Sequence, residues 1–583
     1  MRLPAGVVVL LMALGSTSAV AAPAVPEISV VNNESQPVFS LDDAITEVYS
    51  VETGLDTDSD GVVDRVYAEV VRPKEGQAGL KSPVVMHISP YNEGYSDGWT
   101  PPVEQHPDAG PGFGRPAVYS PLAGQFVPLG YAFMQVQIQG TGRSAGCVSL
   151  GGDNDIRSMA AVVDWLNGKG RAFHLDGSPA RASWSTGAVG TVGHSYDGTI
   201  PIGMAAAGVK GLRTLVSTAP ISNWYAWTRD HGTVNFDRNS YMGRFAKEVA
   251  GPDAKTRCAQ SAAALGAAEA SDTGDMNAFW DERNYLRDMS RFTAPALTTR
   301  ALGDYNVSAP QFSRLWEALG RQGVPRKLWM HQGDHHTPPP SGRYADYDRM
   351  IHRWMDHWLL GLNNGIMNEP TVDVQREDSE TWQTQNTWPH KDMKPVRLFS
   401  GPMVKGIASL GRMPAETPQA QRVVPDVDMA YSVASATPVD SLFRLYSTTE
   451  VLKRDVHLSG TPEMSILMTP STTSTPLTAL LVSYAEGDEM LTVLSQSAID
   501  VKNHSSLYKP ENLVAGRPYR VKWDMKALDR VVPAGHRLGL VVLANYQPYT
   551  IIDPLAGPFD IDLDASSLTL PVVGGYSALG MAG

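Results

Sequence analysis

The chain has 583 residues, two of them cysteine, and a formal net charge of −13. This length exceeds what one hydrophobic core can organise, so two or three domains are expected. The negative charge argues against a surface built to bind phosphate, and we expect no nucleic-acid partner.

The first residues have the composition of a secretory signal. Met1-Arg2 precedes a largely apolar run to Leu14, and Ser18-Ala19-Val20-Ala21 supplies an A-x-A cleavage site. This run is too short to span a bilayer, which takes roughly 20 apolar residues, and no later segment is apolar enough. We therefore expect residues 1–21 to be a signal peptide and the protein to be secreted, to the periplasm or outside the cell.

An acidic turn follows near the N-terminus. Asp56, Asp58, Asp60 and Asp64 are spaced D-x-D-x-D-G-x-x-D, with Gly61 placed for a sharp turn, and oxygen ligands at alternate positions suit calcium. The loop departs from an EF-hand because a tyrosine stands at its twelfth position and no helices flank it. A structural calcium ion and a solvated hairpin between strands both remain open.

Residues 28–365 alternate strand and helix signals, which predicts an α/β domain with a parallel sheet covered on both faces. Examples are strands predicted at 83–89 and 131–137 and a helix at 159–167. Between 225 and 289 the pattern becomes helical. An insertion there, between two strands of the sheet, predicts a cap that excludes water and shapes a pocket.

The two cysteines are Cys147 and Cys258. In an oxidising compartment they are expected to form one disulfide. The alternative is two separately buried thiols.

A candidate nucleophile lies at the end of an apolar run, in Gly193-His194-Ser195-Tyr196-Asp197-Gly198. A serine at such a strand-to-helix turn faces outward, and the backbone N–H of Tyr196 becomes a donor for an oxyanion. The usual motif is G-x-S-x-G, whereas here the second glycine comes one residue later. Because glycine–serine pairs are also common in plain turns, Ser195 depends on support from the downstream chain.

A serine nucleophile needs a histidine that takes its proton and an acid that orients the histidine, and α/β-hydrolases carry them in the order Ser, Asp, His. Strands are predicted at 293–301 and 326–330, with Asp304 in the loop after the first and histidines after the second. Loops at the carboxyl ends of parallel strands open on the same rim of a sheet as Ser195. A turn residue is the alternative for Asp304 taken alone.

Three histidines lie close together after the second of these strands: His331, His335 and His336. His331 is assigned to the strand itself, where sheet packing constrains its side chain. We therefore choose His335 as the base, with His336 second.

These blocks resemble the X-prolyl dipeptidyl-peptidase family of serine peptidases, which is related to the cocaine-esterase group of α/β-hydrolases. Residues 193–199 are similar to the family's G-x-S-Y-x-G-T, which accounts for the displaced glycine. Residues 331–335 are similar to H-Q-G-x-H, which favours His335 over His336. Further similar blocks are 140–144, 219–225, 279–285 and 303–307.

The resemblance also implies an oxyanion hole. Ser89-Pro90-Tyr91 is similar to the segment whose tyrosine hydroxyl completes that hole, with the N–H of Tyr196 as the second donor. From the residues alone, Tyr91 could equally be an aromatic side chain that covers the sheet edge.

Beyond the α/β domain the composition changes to Val, Thr, Ser and Pro with short apolar or alternating runs, such as 477–484 and 537–544. This pattern predicts an antiparallel β-sandwich over residues 366–583. The resemblance implies a jelly-roll domain here, with Trp382 and Trp388 near its start. We expect it to wall one side of the active-site cleft or to mediate assembly, with carbohydrate binding as a further alternative.

The resemblance implies a secreted serine exopeptidase that releases N-terminal Xaa-Pro dipeptides through an acyl-enzyme, without a cofactor for catalysis. Ser195 would attack the carbonyl after proline, His335 would move the proton, and Asp304 would orient His335. An esterase or amidase of the cocaine-esterase type, acting on small acyl or aryl esters, is the alternative. A secreted binding module that retains a hydrolase scaffold is a third hypothesis, and the sequence leaves the oligomeric state open.

An Xaa-Pro substrate needs an apolar pocket for proline, and the candidates are Trp224, Tyr225 and Trp227. Its free ammonium needs a buried carboxylate, because an unpaired desolvated charge is costly. Asp230 and Glu282 are the candidates for that carboxylate, with an ordinary surface or ion-paired acid as the alternative for each.

Overall fold

The computed structural model describes residue 1 and residues 25–91, 117–335, 343–376, 381–437, 440–551 and 555–580. The predicted signal peptide, beyond its first residue, lies outside the described residues, and so does His336. The described chain forms an α/β half followed by an all-β half, as the sequence predicts.

The α/β half alternates strands and helices. Its strands are β1 (Val30–Val31), β2 (Glu34–Ser35), β3 (Ile45–Glu52), β4 (Arg65–Arg72), β5 (Ser82–Ser89), β6 (Ala132–Gln137), β7 (Ala172–His174), β8 (Pro179–Ala180), β9 (Ser185–His194), β10 (Leu212–Thr218), β11 (Arg229–Asp230), β12 (Thr233–Val234), β13 (Ala296–Ala301), β14 (Arg326–His331), β15 (Val372–Gln375) and β16 (Trp382–Gln385). Its helices are α1 (Pro121–Phe126), α2 (Asp153–Leu166), α3 (Tyr196–Ala207), α4 (Trp224–Thr228), α5 (Tyr241–Val249), α6 (Pro252–Arg257), α7 (Ala259–Ala268), α8 (Ala278–Glu282), α9 (Pro310–Arg321) and α10 (Tyr344–Leu359). None of the helices in the described ranges is long and apolar enough to cross a bilayer.

One sheet organises this half, with the described strands in the order β16-β15-β14-β13-β10-β9-β5-β6-β4-β3-β7-β8. The strands from β15 to β6 run parallel, and the strands outside them pair antiparallel. β6 and β13 are buried at every position, as strands covered on both faces must be. Apolar side chains of α2 and α3 cover one face, and those of α1 and α10 cover the other.

The sheet continues past the domain boundary that the sequence predicts at residue 365. β15 pairs with β14, and β16 pairs with β15, although the sequence predicts that both segments belong to the sandwich. Their place at the sheet edge leaves one face partly open, so β15 alternates buried and half-buried residues like a sandwich strand. Composition therefore places the boundary too early, and the sandwich begins with the next strand.

The strands of the all-β half are β17 (Met393–Val404), β18 (Ile407–Gly411), β19 (Ala420–Val423), β20 (Arg444–Thr448), β21 (Val456–Gly460), β22 (Glu463–Pro470), β23 (Pro476–Tyr484), β24 (Thr492–Asp500), β25 (Tyr519–Asp524), β26 (Leu528–Val532), β27 (Arg537–Leu543) and β28 (Phe559–Val573), with helix α11 (Tyr431–Ala434). The long strand β28 pairs with β17, β19, β21 and β22. The alternate residues of these strands enclose an apolar core, which confirms the predicted β-sandwich. Short 3₁₀ helices at Lys74–Ala78, Ala117–Tyr119, Val127–Leu129, Phe236–Arg238, Ile366–Asn368, Val501–Asn503 and Tyr576–Leu579 complete the chain.

Helices α4 to α8 lie between β10 and β13, where the sequence predicts the cap. A disulfide joins Cys147, in the loop after β6, to Cys258 at the end of α6, so the predicted pairing is confirmed. Next to it, Arg257 forms ion pairs of 3.1 Å with Asp58 and 2.8 Å with Asp60. The cap is therefore fastened to the sheet domain by a covalent bond and by the acidic turn.

In the turn between β9 and α3, the backbone of the strand end lies in close contact with the backbone of the first helical turn. Ser195 has φ 58° and ψ −124°, a strained conformation for a residue with a side chain, and its N–H donates to the carbonyl of Thr218 at 2.8 Å. A Cβ on Gly193 would lie 2.3 Å from the carbonyl oxygen of Asp197, and one on Gly198 would lie 2.8 Å from that of Gly193. The second glycine is therefore required at position 198, because there the first helical turn touches the end of the strand.

Removing the disulfide is expected to lower the stability of the protein. The bridge spans a sequence separation of 111 residues, and such a crosslink typically stabilises a protein by about 2–4 kcal/mol. We expect the Cys147→Ala, Cys258→Ala double variant to lose about that much unfolding free energy in urea denaturation. An unchanged midpoint and slope would show that the cap is held by its other contacts.

Replacing Gly193 by alanine is expected to disrupt the turn, because the new Cβ would overlap a backbone oxygen. We expect the variant to melt at a lower temperature and to lose the reaction of Ser195 with a fluorophosphonate. Gly124→Ala is the matched control, since its new Cβ would meet nothing within 4 Å. Wild-type melting and labelling in Gly193→Ala would refute the close packing of strand and helix.

Candidate active site

Ser195, Asp304 and His335 come together at the carboxyl edge of the sheet. They follow β9, β13 and β14, three parallel strands of one sheet: β13 and β14 are neighbours, and β10 lies between β13 and β9. The Nε2 atom of His335 lies 2.9 Å from the Oγ of Ser195, and its Nδ1 atom lies 2.8 Å from Oδ2 of Asp304. This is the geometry of a base that can take the serine proton while a carboxylate orients it.

Asp304 is buried and has partners on both carboxylate oxygens. Oδ2 accepts hydrogen bonds from His335 and, at 3.0 Å, from the guanidinium of Arg300, while Oδ1 accepts one from the N–H of Val307 at 2.8 Å. Burial raises the pKa of Asp304, but the positive charge of Arg300 and the hydrogen bonds from His335 and Val307 outweigh it, and the pKa lies below its ordinary value. The carboxylate is therefore ionised at neutral pH.

Arg300 is a site residue that the sequence analysis missed. It is 1% exposed, and its guanidinium also donates to the backbone carbonyls of Asp304 and Val307. A signal was present, because an arginine in the otherwise uncharged strand β13, four residues before the candidate acid, needs a buried partner.

Three other histidines, His331, His336 and His194, are close to the triad residues in the sequence. His331 ends β14 and is fully buried, as its assignment to the strand predicts. His336 is outside the described residues. The ring of His194, a residue that was not singled out, lies 4.6 Å from that of His335 between centroids.

The two residues predicted for the oxyanion hole are adjacent. The ring centroids of Tyr91 and Tyr196 are 6.3 Å apart, and both residues line the same cavity as Ser195. The side chain of Tyr196 is buried, with its hydroxyl donating to Asp155 at 2.9 Å, so this residue offers its backbone N–H. As the first residue of α3, Tyr196 has no partner for that N–H within the helix. The oxyanion role of both residues stays a prediction.

The candidate triad opens into a cavity of 1180 Å³. Its walls come from three parts of the chain: the rim of the sheet, the cap and the sandwich. The cap supplies aromatic side chains, among them Trp227, Tyr241 and Phe245, whose ring centroids are 5.1 to 6.2 Å apart. The sandwich supplies Tyr431, Gln496, Leu507, Tyr508, Lys526, Tyr546, Pro548 and Tyr549.

Two of the three predicted pocket aromatics, Tyr225 and Trp227, line this cavity. The prediction for Trp224 is wrong. Trp224 is fully buried, packs edge-on against Tyr196 at 5.1 Å and donates its Nε1–H to the hydroxyl of Tyr285. It lies one layer behind the wall because the first turn of α4 directs it toward the core.

Asp230 lines the cavity, but its carboxylate is occupied. Oδ2 accepts hydrogen bonds from the Tyr549 hydroxyl at 2.5 Å and the Ala498 N–H at 2.9 Å, and Oδ1 contacts the ring of His231 at 2.7 Å. Burial raises the pKa of Asp230, but these partners and the charge of Lys526 bring it down to about 2. Asp230 thus ties the cap to the sandwich as a permanent anion, and the contacts give no support to its predicted binding of an amine.

The prediction for Glu282 is wrong, because Glu282 does not line the cavity. Its Oε1 accepts a hydrogen bond from the N–H of Asp153 at the start of α2, and its Oε2 pairs with Arg283 at 3.2 Å. It serves as an N-terminal cap of a helix. Asp237, which is not among the predicted acids, does line the cavity, and its carboxylate has no ion pair or hydrogen bond within the described ranges.

In the acidic turn, oxygen atoms of Asp56, Asp58 and Asp64 lie within 4.8 Å of one another. Asp60, the fourth predicted ligand, is not part of this group, and its side chain pairs with Arg257, as that of Asp58 also does. Carboxylate oxygens are suitable ligands for calcium. However, the guanidinium of Arg257 already neutralises part of the negative charge of the turn. The calcium ion stays a prediction, with three of the four proposed ligands placed together.

Comparison with known proteins agrees with this geometry. The family profile "X-Pro dipeptidyl-peptidase (S15 family)" matches residues 60–337, and the profile "X-Pro dipeptidyl-peptidase C-terminal non-catalytic domain" matches residues 364–572. A putative Xaa-Pro dipeptidyl-peptidase of Bacillus anthracis is 37% identical over 556 residues, which cover 94% of this chain and 91% of that protein. An Xaa-Pro dipeptidyl-peptidase of Lacticaseibacillus casei (strain BL23) is 27% identical over 625 residues, covering 93% and 78%.

Solved structures show the same fold at low sequence identity. An α-amino acid ester hydrolase superposes with a TM-score of 0.66 at 16% identity, covering 96% of this chain and all of its own. A CocE/NonD family hydrolase of Staphylococcus aureus superposes with a TM-score of 0.67 at 16% identity, covering 91% and 94%. The Ser, His and Asp side chains are assembled, two family profiles match, and the relatives match along nearly the whole chain. This protein therefore belongs to the X-Pro dipeptidyl-peptidase (S15) family of serine peptidases.

Proposed function

We propose that the protein is a secreted serine exopeptidase that removes Xaa-Pro dipeptides from the N-termini of peptides. The observation that carries this proposal is the continuous hydrogen-bonded chain from Ser195 through His335 to Asp304, inside a cavity that the cap and the sandwich enclose. The membership of the S15 family supports the substrate class.

In the proposed reaction, the Oγ of Ser195 attacks the carbonyl carbon after proline while Nε2 of His335 takes the hydroxyl proton. The C–N bond then breaks, and His335 gives the same proton to the leaving amine, which leaves an acyl-enzyme. A water molecule, deprotonated by His335, hydrolyses this ester and releases the dipeptide. Throughout, the ionised Asp304 stabilises the imidazolium, and the N–H of Tyr196 with the hydroxyl of Tyr91 would hold the oxyanion.

The cavity offers groups for both ends of an Xaa-Pro dipeptide. The aromatic wall of Tyr225, Trp227, Tyr241 and Phe245 suits the apolar ring of proline. For the substrate ammonium, Asp237 replaces the two acids that the sequence suggested, because its carboxylate has no partner in the described part of the protein.

Secretion is part of the proposal. The buried disulfide between Cys147 and Cys258 is typical of proteins in an oxidising compartment. It agrees with the signal-like composition of residues 1–21.

An esterase or amidase acting on small acyl or aryl esters is the second candidate. The observation that favours it is the state of the predicted amine-binding acids, since Asp230 is fully engaged and Glu282 lies outside the cavity. Such an enzyme would use the same triad and would need no carboxylate for an ammonium group.

The two candidates differ in how they treat the substrate amine. We expect Ala-Pro-p-nitroanilide to be cleaved at least a hundredfold faster than its N-acetyl form, because a blocked amine loses its charged partner at a cost of about 3 kcal/mol. Ser195→Ala is expected to lower turnover by about four to six orders of magnitude, whereas the exposed control Ser290→Ala should leave it unchanged. Equal rates for free and blocked substrates, with faster cleavage of an aryl ester, would favour the esterase.

Replacing Arg300 by methionine is expected to move the acidic limb of kcat/KM to higher pH. In the wild type the pKa of Asp304 lies below its ordinary value of 3.8, so the ionised form and its contribution to stability persist until the pH falls through that lowered value. Without the guanidinium, burial raises the pKa of Asp304, and the neutral carboxyl no longer stabilises the imidazolium.

The measurement is the rate of fluorophosphonate labelling of Ser195 between pH 4 and 8 for the wild type, Arg300→Met and Arg300→Lys. Because lysine keeps the positive charge, Arg300→Lys should retain most of the wild-type pH profile. An acidic limb that stays in place in a folded Arg300→Met protein would contradict the role given to Arg300.

A further inference from the structure

The sandwich places a cation, Lys526, in the wall of the catalytic cavity. Its Nζ atom lies 4.8 Å from the centre of the Tyr549 ring. Within the described ranges, no oxygen accepts a hydrogen bond from this ammonium group and no carboxylate lies within ion-pair distance of it. A desolvated cation without an acceptor is costly, so this group is suited to receive an anion from outside the protein.

The nearby anion cannot serve as that acceptor. Asp230 contributes to the electrostatic field at Lys526, but both of its oxygens are already held by Tyr549, Ala498 and His231. Burial lowers the pKa of Lys526, and the charges of Asp230 and Asp304 only partly oppose this effect. A carboxylate bound next to the ammonium would favour the charged form.

The wall around Lys526 is rigid. The Tyr549 ring stacks on that of Tyr546 with centroids 5.4 Å apart and an interplanar angle of 17°, and its hydroxyl is fixed by Asp230. The hydroxyl of Tyr546 in turn donates to the side-chain carbonyl of Gln496. The cation is therefore positioned before a substrate arrives, which lowers the cost of binding.

The position of Lys526 indicates which part of a substrate it would meet. The next residue, Ala527, packs in one apolar cluster with Ala309 and Phe312, and Leu302 packs against the same cluster, so Lys526 lies on the side of the cavity where the loop of Asp304 stands. His335 bridges this acid and Ser195, and it delivers its proton to the leaving amine. The residue after the cleaved bond therefore lies on the His335 side of Ser195, toward Lys526.

We propose that Lys526 binds the free C-terminal carboxylate of the leaving residue, and that the preferred substrates are Xaa-Pro-Yaa tripeptides. This inference rests on the proposed function and extends it to the far side of the cleaved bond. A carboxylate paired with the ammonium forms charge-assisted hydrogen bonds, which are stronger than those of a neutral amide.

The test compares Ala-Pro-Ala, its C-terminal amide and Ala-Pro-Asp amide by the release of Ala-Pro. We expect wild-type kcat/KM to be about tenfold higher for the free acid than for its amide, mainly through KM. Lys526→Met should bring this ratio close to one, and Lys526→Arg should keep most of it. Lys522→Met, on the exposed side of β25, removes the same charge outside the cavity and should keep the wild-type ratio.

Three outcomes would overturn the inference. The first is an equal wild-type kcat/KM for Ala-Pro-Ala and its amide, and the second is an equal loss of kcat/KM on both substrates in a folded Lys526→Met variant. The third is a preference for Ala-Pro-Asp amide, which would show that Lys526 binds an acidic side chain instead of the C-terminal carboxylate. Circular dichroism and melting confirm that each variant is folded. Failure of the proposed function is distinguishable, because then neither the tripeptide nor Ala-Pro-p-nitroanilide would yield Ala-Pro.

Discussion

The arrangement of the site depends on one oxygen atom, Oδ2 of Asp304, which receives hydrogen bonds from both His335 and Arg300. A carboxyl group this deeply buried would take up a proton if it stood alone. The guanidinium prevents this, and by bonding the carbonyls of Asp304 and Val307 it also fixes the path of the loop. A single arginine inside β13 thus keeps Asp304 ionised and also fixes the position of the oxygen atom that His335 contacts.

The cavity is enclosed by a cap that is anchored on two sides. Toward the sheet it is joined by the disulfide of Cys258 and by the ion pairs of Arg257, and toward the sandwich it is joined by Asp230. Because one anchor is covalent and another is a carboxylate with partners on both oxygens, these contacts favour a cavity that is largely formed before substrate binds over one that a mobile lid completes. The sandwich forms one wall of the cavity, as the sequence predicts, and it contributes the charged side chain of Lys526 to that wall.

The fold, the triad and the disulfide could be predicted because each leaves a local mark: alternating apolar runs, loops after successive strands, and a single pair of cysteines. Features that depend on long-range packing could not. Three of the first four residues of α4 are aromatic, so no pattern separates Trp224, which packs in the core, from Trp227, which lines the cavity. Glu282 is an acid in the cap, as a binding acid would be, but it contacts the start of another helix. Lys526 reaches the cavity from the loop between β25 and β26, far along the chain. Such contacts depend on how the domains pack against each other, and the periodicity of apolar residues along the sequence does not predict this.

The strand β28 has a consequence for the order in which the molecule is made. Residues 559–573 pair with four strands of the sandwich, the first of which begins at Met393. As the chain emerges from its N-terminus, the sheet domain and the cap can fold first, but the sandwich has to wait for this last long strand. The wall that holds Lys526 is therefore completed late, and the chain does not possess its full substrate cavity until residue 573 has emerged.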